Sequence, residues 1–149
     1  MITKVTDNLY RGARIETETS FNHLKDLGIK WIVNLENNQQ SVFNDEIMAI
    51  YGLDGDVQNY PMSEFARPKV EYLEAIVSVL ATSEMIIYIH CKHGCDRTGY
   101  VIAAYRMIVE KWTFGEAWYE LIQMGHKWLF YFWWKKSLKE IAKKYGGAK

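Results

Sequence analysis

Apolar residues along the chain recur at two alternating periods. Two short runs rich in β-branched residues, WIVNLE (31–36) and MIIYIHC (85–91), read as buried parallel strands, the second bounded by a glycine-bearing loop. DVQNYPM adds a weaker third strand around residues 57–60, ended by Pro61, and residues 9–12 add a fourth, at a sheet edge. Between them the period lengthens to that of helices. SFNHLKDLG starts with Ser20 as a plausible N-cap and stops at Gly28. PKVEYLEAIVSVLA opens with Pro68 and spaces Val70, Leu73, Ile76, Val77 and Leu80 along one face. GYVIAAYRMIVEKW is apolar nearly all round and predicts a buried helix. Two more helices follow, over residues 113–124, with Thr113 and Glu116 in capping-box positions, and over roughly 130–144.

Strands separated by helices predict an α/β fold in three layers, a central and mostly parallel sheet of about four to five strands flanked by helices. The chain has 149 residues, no internal repeat, and no linker rich in Pro, Gly or Ser, so a single domain over 1–149 is expected. Hydrophobic residues make up 49% and charged residues 24%, the balance of a folded chain rather than a disordered one. No apolar run approaches the ~18 residues of a membrane span, and the start MITKVTDNLYRG lacks the features of a secretory signal, so a cytoplasmic protein is expected.

Formal charge sums to zero but is unevenly placed. Residues 126–149 hold seven lysines and one acid, a net +6; the remainder is −6. That segment also carries Trp128, Phe130, Tyr131, Phe132, Trp133 and Trp134. A basic, aromatic helix of this kind can lie on an anionic membrane. Tyr131, Trp134, Leu138, Ile141 and Tyr145 nevertheless recur every three to four residues, which favours one face packed on the domain with the lysines solvated. Nothing in the sequence points to nucleic acid.

The chemistry concentrates in IHCKHGCDRTG, residues 89–99, where a strand ends and a helix begins. In α/β sheets, ligands bind beyond such strand ends. A loop there curls backbone N–H groups around one point, a nest that binds phosphate together with the helix dipole. Lys92, His93, Gly94, Cys95 and Asp96 form this loop, and Gly94 permits a conformation other residues resist. Arg97 adds a planar fork for two phosphate oxygens. The same field favours the thiolate of Cys91, making it a nucleophile, and Thr98 is placed to hydrogen-bond its sulfur. Zinc is disfavoured, because His90, Cys91, His93 and Cys95 crowd four ligands into six residues with no second knuckle, and no metal or other cofactor is expected. A protective Cys91–Cys95 disulfide and an inert, buried Cys95 both remain open.

His90-Cys91, five residues, then Arg97-Thr98-Gly99 resembles the HC-x5-R-[ST]-G loop of the protein tyrosine phosphatase superfamily, in its compact dual-specificity-like branch. The resemblance extends loosely to LYRGA, LGIKWIVNLE and NYPMSEFARP. It implies a phosphocysteine mechanism in which Cys91 attacks, Arg97 and Gly99 help hold the phosphoryl group, Thr98 assists breakdown of the intermediate and His90 orients the loop. Two carboxyls compete as proton donor. Asp96 is the favoured one: it lies inside the loop, as in the similar loop of myotubularins and Sac-type lipid phosphatases, and its distance from the chemistry is set by the loop itself. Glu64 occupies the upstream segment from which the wider family draws its acid, where the usual aspartate is missing. The loop also resembles that of tyrosine-phosphatase-like inositol phosphatases, including the phytase group. Lys92 and His93, joined by Arg11 and Arg67, suit a polyanion such as inositol polyphosphate. Protein phosphotyrosine and a non-catalytic phosphate-binding module are the alternatives, the latter having no use for a reactive thiolate.

Overall fold

The computed structural model describes residues 2–127 and 132–146. Trp128, Phe130, Tyr131 and Lys149 lie outside the described residues. The chain forms two compact units, one of residues 1–62 and 83–94, the other of residues 63–82 and 95–149.

The first unit holds the five strands found among the described residues: β1 (Thr3–Thr6), β2 (Leu9–Ala13), β3 (Trp31–Asn34), β4 (Asp56–Asn59) and β5 (Ile87–Cys91). They form one sheet in the order β1-β2-β5-β3-β4, parallel except for the β1–β2 pair. The mostly parallel α/β sheet is the one expected. The segment foreseen as an edge strand is not one, because β2 is flanked on both sides; the edge is β1, whose half-exposed residues lack an apolar run to announce it. Helix α1 (Glu18–Asp26) begins earlier than foreseen, since Thr17 is its N-cap and accepts the Ser20 N–H at 3.1 Å. Leu24, Ile29, Ile32, Ala49, Leu53 and Tyr88 form the core of this unit.

A helix the periodicity did not predict, α2 (Gln39–Met48), continues through a π-helical turn (Ala49–Leu53). Its buried residues are Ser41 and Asp45, while Phe43 and Ile47 are exposed. The usual amphipathic pattern is inverted.

The second unit is helical. Around α4 (Arg97–Ile108), buried along almost its whole length, pack α3 (Val70–Thr82), α5 (Phe114–Gln123) and α6 (Lys135–Tyr145). Thr113 caps α5 in the capping box foreseen, its hydroxyl accepting from Glu116 N while the Glu116 carboxylate accepts from Thr113 N. A 3₁₀ turn (Phe132–Trp134) leads into α6, which buries Ser137, Leu138 and Ile141 together with Trp134. The described part of the aromatic segment therefore packs its predicted face inward. Among the described residues no helix is long and apolar enough to cross a membrane.

Candidate active site

Cys91 closes β5, where the parallel pairing also brings the carboxyl ends of β2 and β3. Its thiol is buried, and the Gly94 N–H donates to Sγ at 3.3 Å. Only glycine fits the turn that makes this contact: Gly94 has φ +78°, and a Cβ there would stand 2.5 Å from the Gly12 carbonyl carbon.

Arg11, on β2, is buried, and its Nη2 donates to the Gly94 carbonyl at 2.9 Å. The sequence reading put Arg11 on the substrate rim; the structure has it supporting the loop from within, because β2 lies in the sheet interior. The Arg14 N–H fastens the Lys92 carbonyl at 3.2 Å, while the Lys92 and His93 side chains are exposed.

Behind the strand lies a polar cluster. His90 is fully buried, with Nε2 2.5 Å from Asp45 Oδ2 and Nδ1 3.2 Å from the Cys91 carbonyl oxygen. Asn34 donates to the same Asp45 oxygen at 2.8 Å. Glu36 is paired with Arg14 and accepts from Ser41 at 2.5 Å. Burial works against the Glu36 charge, but the Arg14 and Ser41 donors outweigh it and hold its carboxyl below the ordinary range. Asn34, Glu36, Ser41 and Asp45 escaped the sequence reading. The one available signal was that Asn34 and Glu36 are polar residues closing an apolar strand.

The unit boundary falls inside the loop, after Gly94. In the helical unit Cys95 is half-buried, and both cysteines are free thiols. Arg97, Thr98 and Gly99 are buried at the start of α4. Arg97 Nη2 donates to Glu64 Oε1 at 3.2 Å. Thr98 Oγ1 is buried with no hydrogen-bond partner among the described residues. Arg67 pairs with Glu140 at 3.5 Å, on the surface.

The two candidate acids are held differently. Asp96 Oδ1 accepts from His126 Nδ1 at 2.7 Å and from the Lys127 N–H at 2.9 Å. Burial disfavours its charge, yet the His126 and Lys127 donors prevail and keep its carboxyl below the ordinary range. A proton donor needs the opposite shift. Glu64 is half-exposed and bonded to Arg97. The backbone beside Glu64 is fastened: the Phe65 carbonyl accepts from the indoles of Trp133 at 3.0 Å and Trp134 at 3.4 Å, and Ser63 Oγ accepts from Phe65 N and Ala66 N. Nothing in the sequence marked His126 as a partner of Asp96.

Among the described residues no three His, Cys, Asp or Glu side chains cluster so as to hold a metal ion. In the first unit Cys91 thus ends a strand and receives a backbone N–H, and in the second Arg97 begins a helix and is paired with Glu64.

The family model of the dual specificity phosphatase catalytic domain matches residues 9–143, and the chain belongs to that family. The protein is thus a cysteine-based phosphatase acting on phosphate monoesters. The fold is shared with TpbA of P. aeruginosa, at TM-score 0.74 and 21% identity over 96% of this chain and 83% of that one. It is shared too with the core catalytic domain of the PP-IP phosphatase SIW14 of S. cerevisiae, solved with citrate, at TM-score 0.75 and 19% identity over 96% and 91%. Tk-PTP in its active form gives TM-score 0.75 and 20% identity over 96% and 97%. No curated protein matches the sequence.

Proposed function

We propose that the protein hydrolyses phosphate monoesters through a phosphocysteine on Cys91, with Glu64 rather than Asp96 as proton donor and a small polyanion of the inositol polyphosphate class as substrate. In the first step the Cys91 thiolate attacks phosphorus, the ester P–O bond breaks and Glu64 protonates the leaving oxygen. Loop N–H groups and Arg97 hold the phosphoryl oxygens as charge develops. In the second step water attacks the phosphocysteine, Glu64 takes its proton, and the S–P bond breaks to release phosphate and restore the thiolate. The unpartnered Thr98 hydroxyl has a hydrogen bond to give to the departing sulfur.

The polyanion reading rests chiefly on one observation: the two residues after the nucleophile, Lys92 and His93, are both exposed and can both be cationic. A citrate-bound neighbour described as a PP-IP phosphatase agrees with it, whereas a TpbA variant solved with phosphotyrosine represents the other substrate class. Arg67, on a surface ion pair worth little, can be drawn to a substrate at small cost.

Measuring kcat/KM on phytate and on a phosphotyrosyl peptide tests the substrate. We expect phytate to be preferred and Lys92→Ala to lower that preference; a peptide preference of roughly tenfold or more overturns it. Loss of turnover with phosphate binding retained in Cys91→Ser separates an enzyme of this mechanism from a phosphate-binding module.

A further inference from the structure

The residues that close α5 place His126. Met124 ends the helix, and Gly125 follows with φ +95°, in the left-handed region. The Gly125 N–H donates to the Ile122 carbonyl at 3.0 Å and the His126 N–H to the Leu121 carbonyl at 3.2 Å, the paired bonds of a Schellman turn. A Cβ on Gly125 would stand 3.1 Å from Cys95 Sγ, so glycine also lets this turn lie against the residues that lead into α4. The imidazole that follows is fully buried, with the rings of Tyr100 and Trp118 edge-on to it at 5.0 and 5.8 Å between centroids. Its Nδ1 is 2.7 Å from Asp96 Oδ1, which also accepts the Lys127 N–H at 2.9 Å. A carboxylate only accepts, so Nδ1 carries the proton.

Asp96 holds the N-cap position of α4, where aspartate is favoured because its carboxylate accepts from the second or third N–H of the helix. It makes no such bond, and its φ of −85° and ψ of −71° are helical rather than the extended backbone usual for a cap. The Gly99 and Tyr100 N–H groups go to the Cys95 and Asp96 carbonyls at 3.1 and 2.9 Å. The Thr98 N–H, second in the helix, is the donor a capping carboxylate would take. The Thr98 hydroxyl, buried and unpartnered among the described residues, is another. These donors and the helix dipole are also what α4 offers an anion. Asp96 and a phosphoryl group therefore compete for one helix end, since a carboxylate there occupies the donors and repels the incoming charge.

We propose that His126 is a positioning residue: with the Lys127 N–H it holds the Asp96 carboxylate off the N-terminus of α4 and so keeps that end open to the phosphoryl group. The proposal rests on the reading of the loop as a phosphate cradle, and adds the device that stops the loop's own acid from filling it. The Lys127 donor belongs to the backbone, so the side chain on which the balance depends is His126. With a ring that cannot donate in its place, one charge-assisted bond is lost and the end of α4 becomes the better site for the carboxylate.

Steady-state hydrolysis of p-nitrophenyl phosphate by the full chain, with inorganic phosphate as competitive inhibitor, decides. In His126→Phe, which keeps a ring but no donor, KM and the phosphate Ki should both rise roughly five- to tenfold, the weight of an aspartate cap on an equilibrium, while kcat changes much less. Removing the carboxylate as well, in His126→Phe combined with Asp96→Ala, should bring both constants back to within about twofold of those of Asp96→Ala alone. A histidine that serves packing alone predicts a double variant as weak as His126→Phe or weaker, and that result overturns the proposal, as do unchanged constants in His126→Phe. Asp96→Ala by itself leaves the buried ring in place and should bind phosphate no more tightly than the unmodified chain; a tightening beyond about twofold would mean that the carboxylate already competes, and overturns it too. Failure of phosphate to inhibit the unmodified chain would instead defeat the cradle reading, and the proposal with it.

Discussion

Single residues in and around the loop carry constraints of different kinds. Gly94 meets two at once, a left-handed φ of +78° and no room for a Cβ beside Gly12, and Gly94→Ala is expected to cost at least ~2 kcal/mol by urea denaturation and to abolish turnover. The carboxyls differ by their partners. Glu64→Gln should lower kcat on an ester with a poor leaving group by roughly 10²–10⁴ while sparing an ester whose leaving group needs no proton. Asp96→Asn should lower stability by weakening the charge-assisted His126 and Lys127 hydrogen bonds and show no such dependence on leaving group. The reverse pattern would return the acid to Asp96. Cys91, Arg97 and Thr98 could be proposed from the sequence because their spacing is local. The partnership of Asp96 with His126, 30 residues on, was not, because only the packing of the helical unit creates it.

At the scale of elements, helix faces were predictable wherever an apolar stripe meets a core. α6 obeys: Leu138 is fully buried, and Leu138→Ala should cost about 2–5 kcal/mol in a denaturation experiment. α2 does not, because Ser41 and Asp45 turn inward to serve Glu36 and His90 and leave Phe43 and Ile47 outside. Ile47→Ser should therefore change stability by less than about 0.5 kcal/mol, and a loss near that of Leu138→Ala would mean that the exposed face is in fact covered. The same logic explains the misread strand. β2 is short and half-polar, as an edge strand often is, but it is paired on both sides because β1 adds antiparallel beyond it.

Over the whole molecule, acid pH acts on carboxylates held in their charged form. Glu36 and Asp96 both have folded values lowered by their donors, so the native chain binds fewer protons than the unfolded one through the acid range. The stability they contribute is complete above the unfolded carboxylate range of about 4 and is lost as pH falls through their lower folded values. Thermal melts should show Tm falling steeply from about pH 5 to pH 3, less steeply in Asp96→Asn; a Tm that stays level over that interval contradicts the assignment. The α/β class, the mostly parallel sheet and the HCKHGCDRTG loop were determined by sequence alone, because hydrophobic period and local spacing are properties of neighbouring residues. The inward turn of Arg11, the occupation of Asp96 and the cluster around His90 were decided only by tertiary structure, because a buried polar group takes its role from whichever distant partner satisfies it.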